Sequence, residues 1–187
     1  MTDTIIEAAI KAGKAIMHIY THPDLDWEVE RKSDNSPLTL ADRTSHKIIA
    51  EALSSSPYPL LSEEGAHIPY AERKDWRSLW IVDPLDGTKE FLKKNDEFTV
   101  NIALVTEGVP VMGVIYVPAK NCLYWGEVGQ GAFTAEVDPE TFHVGAPQSL
   151  PLKGADQNRP YRVVASRSHL STETENFISN LRRYHPD

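Results

Sequence analysis

The stretch "LWIVDPLDGTKEF", residues 79–91, decides how the chain is read. Four apolar residues, 79–82, run straight into Asp83, and Pro84, Leu85, Asp86, Gly87 and Thr88 follow. The apolar run reads as a strand. It shows little alternation, so burial on both faces is expected. Pro84 stiffens the strand exit, and Gly87 permits a tight turn or close approach by a ligand. Asp83, Asp86 and the Thr88 hydroxyl then fall near one point, with the Leu85 carbonyl beside them. Hard cations such as Mg²⁺ take such oxygen sets. A short helix opening at "TKEFLKK" would also aim the Gly87 and Thr88 N–H groups at an anion. A bare D-x-x-D is otherwise a capped turn with solvated acids; the apolar strand ahead of it favours the site.

Working outward, a second acidic pair closes another short apolar run. In "PLLSEEG" the strand is placed at 60–62, and Glu63 and Glu64 follow it. An acidic pair alone is usually a solvated surface. At two neighbouring strand ends, however, the four acids would meet, and ions about 4 Å apart could clamp the attacking and leaving oxygens of phosphoryl transfer. The third element is "KSDNSPLTLAD", with Asp42 three residues after Thr39. That spacing suits a capping box. It equally suits Asp42 as proton acceptor for a water, acting through the Thr88 hydroxyl. Lys32 reads as solvated or as an attractor of phosphate. The histidines form no HExxH, and neither a P-loop nor a GxGxxG is present. "SRSH" (166–169) is a phosphate grip or a helix-start turn, and Cys122 reads as a core residue.

The 187 residues can bury a sizeable core. One cysteine excludes an internal disulfide and agrees with a reducing compartment. Acids outnumber bases 27 to 19, a net charge of −8. That balance disfavours a polymeric nucleic acid or an anionic lipid surface as partner. An acidic chain that acts on phosphate needs cations to overcome repulsion. No transmembrane segment is present, and the first twenty residues read as an amphipathic helix and not as a signal peptide. A cytoplasmic location is expected, with the inner membrane face as a secondary, peripheral station.

Helices are expected at 3–20, with Ile5, Ala9, Ala12, Ile16 and Tyr20 on one face, and at 39–55, with Ile48, Ile49, Ala52 and Leu53 apolar. "DWEVERK" reads as a short strand. After Phe91 the runs "EFTVNIALV", "VPVMGVIYVPA", "NCLYWGEV" and "GAFTAEV" read as an antiparallel meander. Residues 136–160 read as a linker or surface excursion, "YRVVAS" as a strand, and "STETENFISNLRRY" as a helix capped by Ser171. The class is α+β: a layered α/β/α sandwich with a mostly antiparallel sheet.

With these motifs assembled, the chain resembles the inositol monophosphatase / fructose bisphosphatase superfamily of lithium-sensitive, magnesium-dependent phosphatases. The motifs are Thr39-Leu40-Ala41-Asp42, Glu63-Glu64 and Asp83-Pro84-Leu85-Asp86-Gly87-Thr88. The segments "KSDNSPLTLAD", "LLSEEG", "DPLDGTKEFLKKNDEFTVNIALV" and "SRSH" are most similar to the bacterial 3′(2′),5′-bisphosphate nucleotidases. The resemblance implies the sugar phosphatase fold and two or three Mg²⁺ ions. It implies a nucleotide bisphosphate substrate, adenosine 3′,5′-bisphosphate, which loses its 3′-phosphate; 3′-phosphoadenylyl sulfate would be a second substrate, and sulfate assimilation the context. By position, Glu63, Asp83, Leu85 (through its carbonyl) and Asp86 should hold metal. Asp42 and Thr88 should orient the nucleophilic water, with Glu64 a further catalytic acid, and Glu63, Leu85, Asp86, Gly87 and Thr88 should line the substrate site.

The family adds a later aspartate from a W-D motif, and none of Trp27, Trp76, Trp80 or Trp125 precedes an aspartate. The expectation is a metal-binding domain over 1–155 and the start of an incomplete second domain over 156–187, with weak or absent activity for these residues alone. Three rivals are open at this point. They are an inositol or sugar phosphate phosphatase of the same superfamily, a haloacid-dehalogenase-type phosphatase (whose acids stand two apart, not three), and a non-catalytic metal-binding module.

Overall fold

The computed structural model describes residues 1–22, 24–32, 37–152, 162–166 and 170–184. Two compact units divide the chain, Met1–Pro151 and Leu152–Asp187.

In the first unit, helix α1 spans Thr2–Thr21, and all five residues of the expected apolar face are buried. Strands β1 (Glu30–Arg31) and β2 (Pro37–Leu38) pair as a small antiparallel ribbon. Only two residues of "DWEVERK" are therefore strand. Helix α2 spans Leu40–Leu53 and buries Ile49 and Leu53 in the core. Next come β3 (Leu60–Ser62), a short α3 (Tyr70–Arg73), β4 (Ser78–Asp86) and a one-turn α4 (Thr88–Leu92). The meander follows as β5 (Thr99–Thr106), β6 (Val109–Val117), β7 (Cys122–Glu127) and β8 (Gly131–Glu136).

Strands β3 to β8 form one sheet in chain order, and β9 (Gln148–Leu150) extends it to seven strands. Every pairing is antiparallel except β3 with β4. The expected α+β class with a mostly antiparallel sheet is what the structure has. Helices α1 and α2 pack against each other and against one face of β4, β5 and β6. That face supplies Trp80, Val82, Val100, Ile102, Leu104, Val114 and Tyr116 to the core. An aromatic group of Tyr20, Trp27, Phe91 and Phe98, with centroids 4.9 to 5.4 Å apart, locks α4 onto the end of α1.

Three expectations need correction. Strand β4 is not buried on both faces: Trp80 and Val82 point under the helices, while Ile81 is 44% exposed. The continuous apolar run misleads because β4 is antiparallel to β5 and packs α2 against the face that carries Trp80 and Val82. The polar stretch 136–160 is not all excursion. It contains the edge strand β9, whose Gln148 and Ser149 suit a row facing solvent, and a bridge between Val137 and Val144. "YRVVAS" is not a strand: residues 162–166 carry no regular structure, and Val164 is 97% exposed. Residues 162–166 join no sheet among the described residues, and without a ladder the apolar run is not a strand. Residues 167–169 of "SRSH" and 33–36 of "KSDNSPLTLAD" lie outside the described residues.

In the second unit, α5 (Thr172–Tyr184) starts as expected. The Thr174 amide donates to Ser171 Oγ at 3.3 Å, and the Glu175 amide to the Ser171 carbonyl at 3.0 Å.

Helix α1 approaches the sheet closely at Gly13. A side-chain carbon there would overlap the Tyr116 ring and stand 3.0 Å from Pro118 Cγ. Gly13→Ala gains about 1 kcal/mol of helix propensity, but overpacking a buried ring costs about 1–3 kcal/mol. The buried Tyr116 leaves no room to relax, so urea unfolding of Gly13→Ala is expected to show a net loss of about 1 kcal/mol or more. A gain in stability would contradict this packing.

Candidate active site

Two strand ends and one helix build the site. Strand β3 runs parallel to β4 with Leu60 beside Trp80, Leu61 beside Ile81 and Ser62 beside Val82. The ladder continues one residue further, where the Glu63 amide donates to the Val82 carbonyl at 3.0 Å. Glu63 is thereby set beside Asp83, where its negative charge acts on the Asp83 carboxyl. The β4–β5 register shifts between Asp83 and Asp86, so the "DPLD" segment bulges out of the ladder. Gly87 follows with φ of 95°, and a side chain there would meet the Glu97 carbonyl at 2.7 Å. Glycine is what this left-handed turn requires.

Helix α2 supplies the third wall. Asp42 and Ser45, one turn apart, are both buried, and His46 follows them. Asp42 Oδ2 accepts hydrogen bonds from the Thr39 amide, at 2.8 Å, and from the Thr39 hydroxyl, completing a capping box. Its other oxygen, Oδ1, accepts from the Thr88 hydroxyl at 3.0 Å. Oδ2 thus realises the capping reading, and Oδ1 meets the hydroxyl that the catalytic reading names. The Thr88 hydroxyl also lies 3.3 Å from the Leu85 carbonyl.

Sequence reasoning missed three supporting groups, Ser45, His46 and Asn101, and read a fourth, Lys32, only as solvated or as an attractor of phosphate. Ser45 Oγ donates to the Pro84 carbonyl at 2.6 Å and fixes the bulge. His46 Nδ1 lies 2.8 Å from Ser62 Oγ, tying α2 to the end of β3. Asn101, the register partner of Asp83, donates through Nδ2 to Asp86 Oδ2 at 3.2 Å and accepts from Thr99 at 3.1 Å. Lys32 Nζ lies 2.8 Å from Glu63 Oε1 and 2.6 Å from Glu64 Oε1. The i, i+3, i+4 spacing of Asp42, Ser45 and His46 was a usable signal. Asn101 and Lys32 come close only through tertiary structure.

Electrostatics reflect the crowding. Burial, then the negative charges of Glu63 and Asp86, push Asp83 from the ordinary 3.8 up to about 7. Burial also raises Asp42 and Glu64, against the hydrogen bonds of Thr39 and the charge of Lys32 respectively. Burial works against the charge of Lys32, yet its bonds to Glu63 and Glu64 outweigh it and push the amine up to about 12.

All of Asp42, Glu63, Glu64, Asp83, Leu85, Asp86, Gly87 and Thr88 thus surround one region. Among the described residues, no three carboxylate or imidazole groups already stand together as a formed metal cage. The donors nonetheless suit a hard cation: carboxylates, a turn carbonyl, and Asp83 Oδ1, which is buried with no hydrogen-bond partner.

This is an α+β protein whose oxygen-rich strand ends are suited to gathering divalent cations. The chain belongs to the inositol monophosphatase family, whose pattern matches residues 1–187. It is 40% identical over 185 residues to 3′(2′),5′-bisphosphate nucleotidase CysQ of Escherichia coli K12, a match covering 97% of this chain and 69% of that one. The crystal structure of CysQ from Bacteroides thetaiotaomicron superposes with a TM-score of 0.85 at 48% identity, covering 99% of this chain and 69% of that one. An IMPase/NADP phosphatase complexed with Mg²⁺ and phosphate superposes with a TM-score of 0.51 at 28% identity, over 57% and 41% of the two chains. Among the described residues, no helix is long and apolar enough to cross a membrane.

The elevated Asp83 has a measurable consequence. The folded state keeps its proton up to about pH 7, while the unfolded chain loses it near pH 4, so stability falls as pH rises through that window. Asp42 and Glu64 are raised too and act in the same direction. In EDTA, the melting midpoint is expected to drop between about pH 4 and about pH 7, and Asp83→Asn to flatten that drop. A wild-type midpoint that rises with pH in EDTA would count against the clustered acids.

Proposed function

We propose that the protein is a Mg²⁺-dependent phosphomonoesterase that removes the 3′-phosphate of adenosine 3′,5′-bisphosphate, with 3′-phosphoadenylyl sulfate as a related substrate. The observation that carries this reading is the Thr88 hydroxyl. It is hydrogen-bonded to a buried carboxylate, Asp42, at the edge of a carboxylate cluster. The names of the similar proteins supply the substrate class.

Glu63, Asp83, Asp86 and the Leu85 carbonyl would hold the ions. Divalent cations, when bound, supply the positive charge that neutralises phosphate oxygens and the leaving oxygen. The chain's own residues do the rest. With its hydrogen committed to Asp42, the Thr88 oxygen accepts a hydrogen bond from the attacking water. Asp42 has a raised proton affinity and takes the proton through Thr88 as water adds to phosphorus. The bond from phosphorus to the ribose oxygen breaks on the opposite side, and that oxygen takes a proton from solvent. Gly87 and Thr88 hold the phosphate at the bulge, and Glu64 assists from its pairing with Lys32. Residues up to about 155 form the metal-binding part on this reading, and those beyond it the start of a second domain.

Phosphate release should be compared for adenosine 3′,5′-bisphosphate, inositol 1-phosphate and fructose 1,6-bisphosphate, each with Mg²⁺. The nucleotide is expected to give the largest kcat/KM. Thr88→Ala is expected to lower kcat/KM by about 10²–10⁴-fold, with most of the loss in kcat, as loss of positioned proton transfer does. Equal or greater turnover of inositol phosphate would overturn the substrate assignment, and near-normal kcat in Thr88→Ala would overturn the role of Thr88.

A further inference from the structure

The cation already present among the acids is Lys32. Its amine bridges Glu63 and Glu64 at 2.8 and 2.6 Å, so one positive charge serves two carboxylates. The two bonds are unequal in setting. The Glu64 side chain is 7% exposed, whereas that of Glu63 is 49% exposed and faces Asp83. A buried carboxylate depends on its counter-charge, so the Glu64 bond is the persistent one. The Glu63 bond is the exchangeable one, since water can replace it at small cost.

We propose that Lys32 is a resident counter-ion of the acid pair, which a divalent cation must displace from Glu63, so that Lys32 sets how tightly the site takes its metal. This rests on the reading of Glu63 as a metal-holding acid. An ammonium in contact with a ligand oxygen weakens metal binding in two ways. Its hydrogen bond to Glu63 must be given up, and its charge repels the incoming ion across a short distance. The same charge has a use before metal arrives. Glu63, Glu64, Asp83 and Asp86 would otherwise repel one another. Lys32 sits one residue past β1, on a two-residue ribbon, so its reach toward Glu63 can change without disturbing the main sheet. Lys32 is therefore a positioning residue: it competes with the cation for Glu63 while remaining anchored to Glu64.

The test is calorimetric titration of Mn²⁺ into EDTA-stripped wild-type protein, Lys32→Met, Lys32→Arg and Asp83→Asn, with the melting midpoint of each metal-free sample. Lys32→Met is expected to bind Mn²⁺ roughly threefold to tenfold more tightly and to melt lower without metal. Lys32→Arg, which keeps the charge, is expected to stay within about twofold of wild type. If Lys32→Met does not fold, Lys32→Gln carries the same expectation. Unchanged or weaker Mn²⁺ binding by the neutral variant overturns the proposal while leaving the metal site standing. Wild-type protein that binds no Mn²⁺, or binds it as well as Asp83→Asn does, overturns the metal-site reading and this proposal with it.

Discussion

Parallel pairing of β3 with β4 is the constraint on which the rest depends. It carries the chain one residue past Ser62 and Val82, so that Glu63 and Asp83 leave the sheet side by side. No other strand pair in the sheet is parallel, and an antiparallel arrangement would send the two strand ends in opposite directions. The register break between Asp83 and Asp86 then turns a third carboxylate toward the same region. Burial first, and then the repulsion of Glu63 and Asp86, raises the proton affinity of Asp83. The arrangement is costly for a bare protein and favourable for one that collects cations. Those cations also answer the problem set by a net charge of −8 and an anionic substrate.

Helix α2 couples this site to the core. Ile49 and Leu53 are buried against the sheet, and the first turns of the same helix present Asp42, Ser45 and His46 to the strand ends. A rigid helix therefore sets the distance between Asp42 and the bulge that carries Thr88. The aromatic cluster around Phe91 does the same from the other side, since Phe91 belongs to the one-turn helix that starts at Thr88. Packing energy is thus used to hold a hydroxyl and a carboxylate 3.0 Å apart.

Much of this was legible in the residues. The bounds of β3, the two long helices of the first unit, the four meander strands and the short helix at "TKEFLKK" follow from periodicity and turn chemistry. The acids could be paired because each follows an apolar run. What was illegible has physical reasons. The one-sidedness of β4 depends on which face receives helices, and an apolar run carries no such label. Strand β9 is a polar edge with few β-branched residues. Lys32 lies more than thirty positions from its acids, and Asn101 meets Asp86 only because β5 folds back on β4. Asp42 was read as either cap or catalyst, because the spacing to Thr39 does not reveal that its second oxygen meets Thr88, far along the chain.

The claim that Glu63, Asp83 and Asp86 form one cation-gathering site is tested most directly by anomalous diffraction from crystals soaked in Mn²⁺. The account predicts a manganese peak within coordination distance of Asp83, with Asp86 or Glu63 as its neighbour and Lys32 turned away from Glu63. Manganese found only elsewhere on the surface, with the Lys32 bridge to both glutamates intact, would contradict it.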